Sequence, residues 1–192
     1  MPPEKPRLAP LPEAQWDEEI RPLLRAMPGP DGRPLHIFAT LAHHPKLLKR
    51  WLVFGAHVLS KSTLPARERE LAILRSGWLC RCEYEWGQHV LIARGVGLSD
   101  EEIARVARGP DAPAWAPRDA ALLRAVDELH AAASIGDATW AALAEHFDTT
   151  QLIDLVFAVG QYHLVSMALN SLGVEREPGV PGFAETAGAV PR

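Results

Sequence analysis

Three side chains that could do chemistry lie close together in "LCRCEYEWGQHV" (79–90): the Cys82 thiol, the Glu85 carboxylate and the His89 imidazole. On one helix from 82 to 94 they fall at i, i+3 and i+7, a single face about two turns long. Cys82 would sit in the first turn, where the helix dipole favours a thiolate. His89 can take or give a proton near neutral pH without tuning, and a touching Glu85 would raise its basicity. Tyr84 and Gln88 form the neighbouring row, while Glu83 and Trp86 point elsewhere. The same residues fit a reactive thiol, an acid/base pair, a metal triad or a solvated polar face. The flanks "LAILRSGWLC" and "VLIARGVG" are apolar, so the stretch is expected to be buried, where ionisable groups need partners or a purpose. Neither H-E-x-x-H nor paired C-x-x-C is present, which weighs against a metal. No metal and no cofactor are expected. Cys80 and Cys82 are the chain's two cysteines. A bridge between them would close a tiny loop and add little stability, so they are not a structural staple.

The elements that must position these groups read as helices throughout. Residues 1–12 are Pro-rich and expected to be extended. Trp16, Ile20, Leu23, Leu24 and Met27 share a side of a helix over 13–27, with Pro22 against it. "PGPDGRP" (28–34) is a loop, 35–44 a short helix, and Pro45 opens another as a first-turn proline. Pro65 opens the next, with a stripe through Leu71, Leu74 and Trp78; Gly77 is expected to break it, so that a new helix runs from about Cys82 to Arg94. Ser99 and Glu102 have capping-box spacing. After the loop "GPDAPAWAP" come helices at 117–133, 137–147 and 149–171, with Leu122, Ala125, Val126 and Leu129 on one face and Asp137 and Thr149 as expected caps. No segment alternates with period two, so the fold class is all-α. The chain divides into an N-terminal extension with one helix (1–34), a helical domain (35–177) and a flexible tail (178–192).

"LPARERELAIL" (64–74) echoes "WAPRDAALLRA" (115–125), and "GQHVLIARGVG" echoes "GQYHLVSMALNSLGV". This suggests a weak internal repeat of two helical hairpins, in which His163 echoes His89. His163, His57 and His130 are expected to be hydrogen-bonded core histidines, and His43 and His44 a solvent-side turn. Arg67, Arg69 and Arg75 flank Glu70 and are expected to pair on the surface, with a hold on a substrate carboxylate by one of them as the alternative.

The 192 residues suit one domain with a sizeable core. The formal net charge of −4 is mild and argues against nucleic-acid binding. No apolar run in the sequence reads as the ~20 residues that span a bilayer, and "MPPEKPRLAPLPEAQW" lacks a signal-peptide core, so a cytoplasmic protein with no membrane partner is expected.

The pattern "RERELAILRSGWLCRCEYEWGQHVLIARGVGLSDEEI", extended by "FATLAHHPKLLKRW" and "VGQYHLVSMALNSLGV", resembles the carboxymuconolactone decarboxylase family, whose superfamily includes alkylhydroperoxidase D. Glu70, Cys82 twelve residues on and His89 seven further match the spacing of the superfamily's peroxidase motif. The resemblance implies an alkylhydroperoxidase D-like helical bundle and a homo-oligomer: a dimer, trimer or hexamer. In the peroxidase branch two cysteines reduce a hydroperoxide while a glutamate and a histidine relay protons. Here Glu85 stands where the peroxide-attacking cysteine belongs, and Cys80 is not in the matching place. The "EYEWGQH" form resembles the decarboxylase-like branch, whose reaction needs a cavity, a holder for the substrate carboxylate and a proton donor.

The expected function is therefore cofactor-free acid/base chemistry, of decarboxylase, lyase or isomerase type, on a small organic acid or lactone. His89 and Glu85 would be acid and base, Glu70 the orienter, Tyr84 a hydrogen-bond donor, and Trp78 and Trp86 pocket wall. The alternatives are thiol-dependent hydroperoxide reduction centred on Cys82, and a non-catalytic helical protein that binds a small molecule.

Overall fold

The computed structural model describes residues 3, 5–29 and 31–187. Ten α-helices and one 3-10 turn are present among them, and no strand. After the turn Glu13–Gln15 come α1 (Arg21–Arg25), α2 (His36–Leu41), α3 (Pro45–Ser60), α4 (Ala66–Leu79) and α5 (Glu83–Gly95). There follow α6 (Asp100–Arg108), α7 (Pro117–Ala132), α8 (Asp137–Ala144), α9 (Thr149–Leu172) and α10 (Phe183–Thr186).

α4 is the axle. It packs against α5, α6, α7 and α9, while α3 lies on α9 and α10 on α5 and α6. Every residue from Glu68 to Gly77 is buried. The main core joins Leu71 and Leu74 to Trp86, Ile103, Leu122, Leu123, Val126 and Leu143. Each such side chain stabilises by about 1.5–3 kcal/mol when fully buried.

A buried helix that carries charge needs partners, and α4 has them. Arg67 pairs with both oxygens of Asp119 (3.0 and 2.9 Å), and Arg118 of α7 pairs back with Glu68. The two Pro-Arg helix entries thus exchange partners. Arg75 forks onto Asp127 (2.6 and 2.8 Å) and donates to the Val106 and Ala107 carbonyls near the end of α6. The arginines pair as expected, but Arg69 and Arg75 are buried rather than on the surface.

Several local expectations are corrected. The helix over 13–27 is broken: Pro22 has no N–H to donate and sits at the start of the five-residue α1. Trp16, Ile20 and Leu24 are still buried together. Gly77 does not break α4. An added Cβ there would lie 3.4 Å from the Trp86 amide nitrogen, so Gly77 lets α4 and α5 approach. The turn falls instead at Arg81, whose φ of 52° is left-handed. The caps of α8 and α9 are Gly136 and Asp148, one residue before those expected, and Asp148 forms a capping box with Gln151. His57 and His130 are exposed, not core.

The expected loose tail differs in its described part. Phe183 is buried edge-on against Trp78 (centroids 5.0 Å) and near Trp86 (5.5 Å), and Trp86 donates to the Thr186 hydroxyl (2.7 Å). Three aromatic rings outweigh the ordering cost of a short Gly/Pro segment. Residues 188–192 lie outside the described residues. α9, at 24 residues and mean hydropathy 1.5 over its most apolar window, is long and apolar enough to cross a bilayer. Half of that window is buried within the fold, as in a core helix.

Candidate active site

The chain reverses between α4 and α5, so Glu70 faces His89 across the two helices. Glu70 is fully buried, and its Oε2 lies 2.6 Å from His89 Nδ1. One turn before His89 on α5, Glu85 places Oε1 2.9 Å from Nε2. Both ring nitrogens thus meet a carboxylate. Tyr162 of α9 meets the imidazole edge-on (centroids 4.8 Å), and Arg69 Nε lies 3.3 Å from the other oxygen of Glu70.

Burial alone would lower the His89 pKa, but Glu70, and then Glu85, reverse this and hold it at about 10. The group is an imidazolium at neutral pH, with both N–H groups donating. A carboxylate–imidazolium–carboxylate row can pass a proton along its length, and the Arg69 guanidinium beside Glu70 adds a second positive partner to it.

The thiols are placed differently from the expectation. Cys82 caps α5 from outside the helix rather than lying in its first turn. It is fully buried among Ile37, Tyr84, Val165 and Leu169. Burial, then the Glu85 carboxylate, pushes its thiol up to about 12. Cys80 is partly exposed and is also pushed up, mainly by burial. Both cysteines are free.

Glu85 and His89 open onto a cavity of about 250 Å³. Its wall comes from α2, α3, α5 and α9 and is mostly apolar, with Trp51, Gln88, Gln161 and Tyr162 among the lining residues that carry a polar group. No lysine or arginine lines it among the described residues, and neither does Cys82. The Trp51 indole N–H is buried with no acceptor. A larger open cleft, about 790 Å³ near Glu83, Arg176 and Glu185, does not reach Glu70 or His89.

Tyr84 contributes its ring to the cavity, but its hydroxyl is occupied: it donates to Glu177 (2.8 Å) and accepts from the Ile37 amide (3.2 Å). Glu177 also accepts from the His36 amide (2.6 Å) and Gln88 (2.5 Å), which fastens the segment after α9 to α2 and α5. Trp78 and Trp86 belong to the core beneath Phe183, not to the cavity wall. The residues missed in the sequence are Trp51, Gln161 and Tyr162. Gly160-Gln161 repeats Gly87-Gln88, and the structure sets Tyr162, not His163, against His89.

Residues 45–128 match the carboxymuconolactone decarboxylase family. The chain is 20% identical to a peroxidase-related protein with an alkylhydroperoxidase AhpD core from Ralstonia eutropha JMP134, with TM-score 0.78 over 96% of this chain and 98% of that one. A peroxidase-related protein from Silicibacter sp. TM1040 is 18% identical, with TM-score 0.78 over 93% and 95%. The debrominase Bmp8, in complex with 2,3,4-tribromopyrrole, is 12% identical, with TM-score 0.73 over 91% and 94%. These likenesses show the fold. No match is found among curated proteins.

Proposed function

From the match of residues 45–128 to the carboxymuconolactone decarboxylase family, we propose that the chain is a cofactor-free enzyme moving a proton on a small, largely apolar carbonyl compound such as a lactone. The observation that carries this reading is the Glu70–His89–Glu85 row opening onto an apolar cavity that no lysine or arginine lines. Glu85 removes a proton from the carbon next to the carbonyl. The C–H electron pair moves into an enolate, and the negative charge settles on the carbonyl oxygen. Neutral donors on the wall, the Trp51 N–H and the Gln161 amide, hold that oxygen. Glu85 then returns the proton to the same or a conjugated carbon, with His89 held charged by Glu70 as its reservoir.

The lining favours the lactone over the organic acid. A carboxylate substrate would meet Glu85 on the cavity wall with no arginine or lysine there to hold it. That Bmp8 holds 2,3,4-tribromopyrrole supports a small ring as occupant of this fold. The thiol-based alternative is weaker here, since Cys82 is buried away from the cavity with its thiol raised. Self-association is part of the reading. α3 and α9 expose Val53, Phe54, Phe157 and Leu164, with Phe54 and Phe157 in edge contact, as a face for a second copy. Light scattering would weigh the assembly.

The test is proton exchange by NMR in deuterated buffer across a panel of unsaturated lactones. The wild type should catalyse exchange next to the carbonyl, and Glu85→Gln should lose about 100-fold or more. Exchange unaffected by Glu85→Gln would refute the assignment. Binding without exchange would favour a binding protein. Peroxide turnover lost in Cys82→Ser would favour the thiol chemistry.

A further inference from the structure

A second cluster of ligand-type side chains lies at the C-terminal end of α4. Cys80 at its C-terminal end, His130 in the last turn of α7 and His163 in the middle of α9 bring one sulfur and two ring nitrogens within 4.8 Å of one another. The three come from distant parts of the sequence and share no motif.

Three observations point to a cation. His163 Nδ1 lies 2.8 Å from the Val159 carbonyl. A carbonyl only accepts, so Nδ1 carries the proton and Nε2 keeps its lone pair. A carbonyl-oriented imidazole is the usual posture of a metal-ligating histidine. That lone pair faces His130 Nδ1 at 2.9 Å, so one proton is all that lies between two ligand atoms. Finally, Cys80 caps the C-terminus of α4, and His130 lies in the last turn of α7. Two negative helix ends therefore converge where a cation would sit. The Cys80 backbone is itself held, its carbonyl accepting from Asn170 (2.9 Å).

We propose that Cys80, His130 and His163 bind a zinc-class divalent cation through one sulfur and two nitrogens, with a fourth position open to water. Thiolate plus imidazole suits a borderline-soft ion such as Zn²⁺ rather than Mg²⁺ or Ca²⁺. Bond lengths of about 2.3 Å to sulfur and about 2.0–2.1 Å to nitrogen require the three ligands to draw inward. The partly exposed Cys80 and exposed His130 have room to do so. On binding, the Cys80 thiol gives up its proton to solvent. His130 moves its proton from Nδ1 to Nε2, freeing Nδ1 for the metal, so one proton is released per ion. The ion would tie the ends of α4 and α7 to α9. It is separate from the Glu70–His89–Glu85 row and does not depend on the proposed reaction.

The test titrates Co²⁺, then Zn²⁺ in competition, into the metal-free full-length chain. One cobalt per chain is expected, with tetrahedral visible bands and a thiolate charge-transfer band in the near ultraviolet. Cys80→Ser should lose the charge-transfer band, and Cys82→Ser should keep it. His130→Ala should weaken binding by at least the 10–100-fold that even an outer partner commands. Zn²⁺ should raise the melting temperature of the wild type but not of His130→Ala. An octahedral spectrum without the thiolate band, or affinity unchanged in both Cys80→Ser and His130→Ala, overturns the site. Loss of the band in Cys82→Ser instead would overturn it as well.

Discussion

Raising the pH into the alkaline range should weaken the protein at its centre, and the structure sets the size of the loss. His89 sits between Glu70 (2.6 Å) and Glu85 (2.9 Å), which hold its pKa at about 10 against the ordinary 6.5. The folded value lies above the unfolded one. The stabilisation is therefore complete below about 6.5 and is lost as pH rises through about 10. That span is about three and a half decades of proton affinity, at about 1.4 kcal/mol per decade, or about 5 kcal/mol at most. Breaking a buried ion pair by removing one partner costs about 3–5 kcal/mol, which agrees. Urea unfolding of the wild type and of Glu70→Gln/Glu85→Gln should be compared from pH 6.5 to 10. The double variant is close to isosteric and leaves His89 neutral across that range, so other titrations cancel in the difference. The wild type should lose about 3–5 kcal/mol relative to the variant. Parallel stability curves would refute the imidazolium and, with it, the proton reservoir.

Three further outcomes follow from the packing. Phe183→Ala should cost about 3–5 kcal/mol, read from the urea midpoint, and should shift tryptophan fluorescence as Trp78 and Trp86 lose their cover; an unchanged midpoint would remove the tail from the core. Gly87→Ala should free residues 178–187 to limited proteolysis, because the new Cβ would collide with the Pro181 carbonyl oxygen and lie 2.7 Å from Val180 Cγ1; equal protease resistance would contradict the contact. In the folded protein a thiol-specific reagent should label Cys80 slowly and leave Cys82 untouched until urea is added; prompt labelling of Cys82 would revive the thiol chemistry.

Much of the frame was legible in the sequence for local reasons. Pro45 and Pro117 open α3 and α7 at the first turn, Ser99 and Glu102 cap α6, and apolar spacing marks α4 and α7. The Glu70–His89 pairing followed from family spacing, and the Glu85–His89 contact from the four-residue interval on one helix. What failed to show were features set by tertiary contact. Gly77 reads as a break, but the approach of Trp86 makes it a packing position, and Arg81 takes the left-handed turn that nothing in its side chain announces. Tyr84 read as a donor to substrate because Glu177, which occupies its hydroxyl, lies 93 residues away. Trp51 reads as one more apolar ring until its N–H is seen without an acceptor.

The burial of α4 has a consequence for how the chain is made. Glu68 and Arg75 wait for Arg118 and Asp127, and the helix is enclosed only when α9 is present. A ribosome adding about 5–20 residues per second delivers α4 many seconds before α9. During that interval ten residues destined for the interior, four of them charged, have no interior to enter. Closing such distant contacts is slow, so consolidation must await release of nearly the whole chain. The stretch 45–128 alone lacks α9 and would leave that side of α4 open to water.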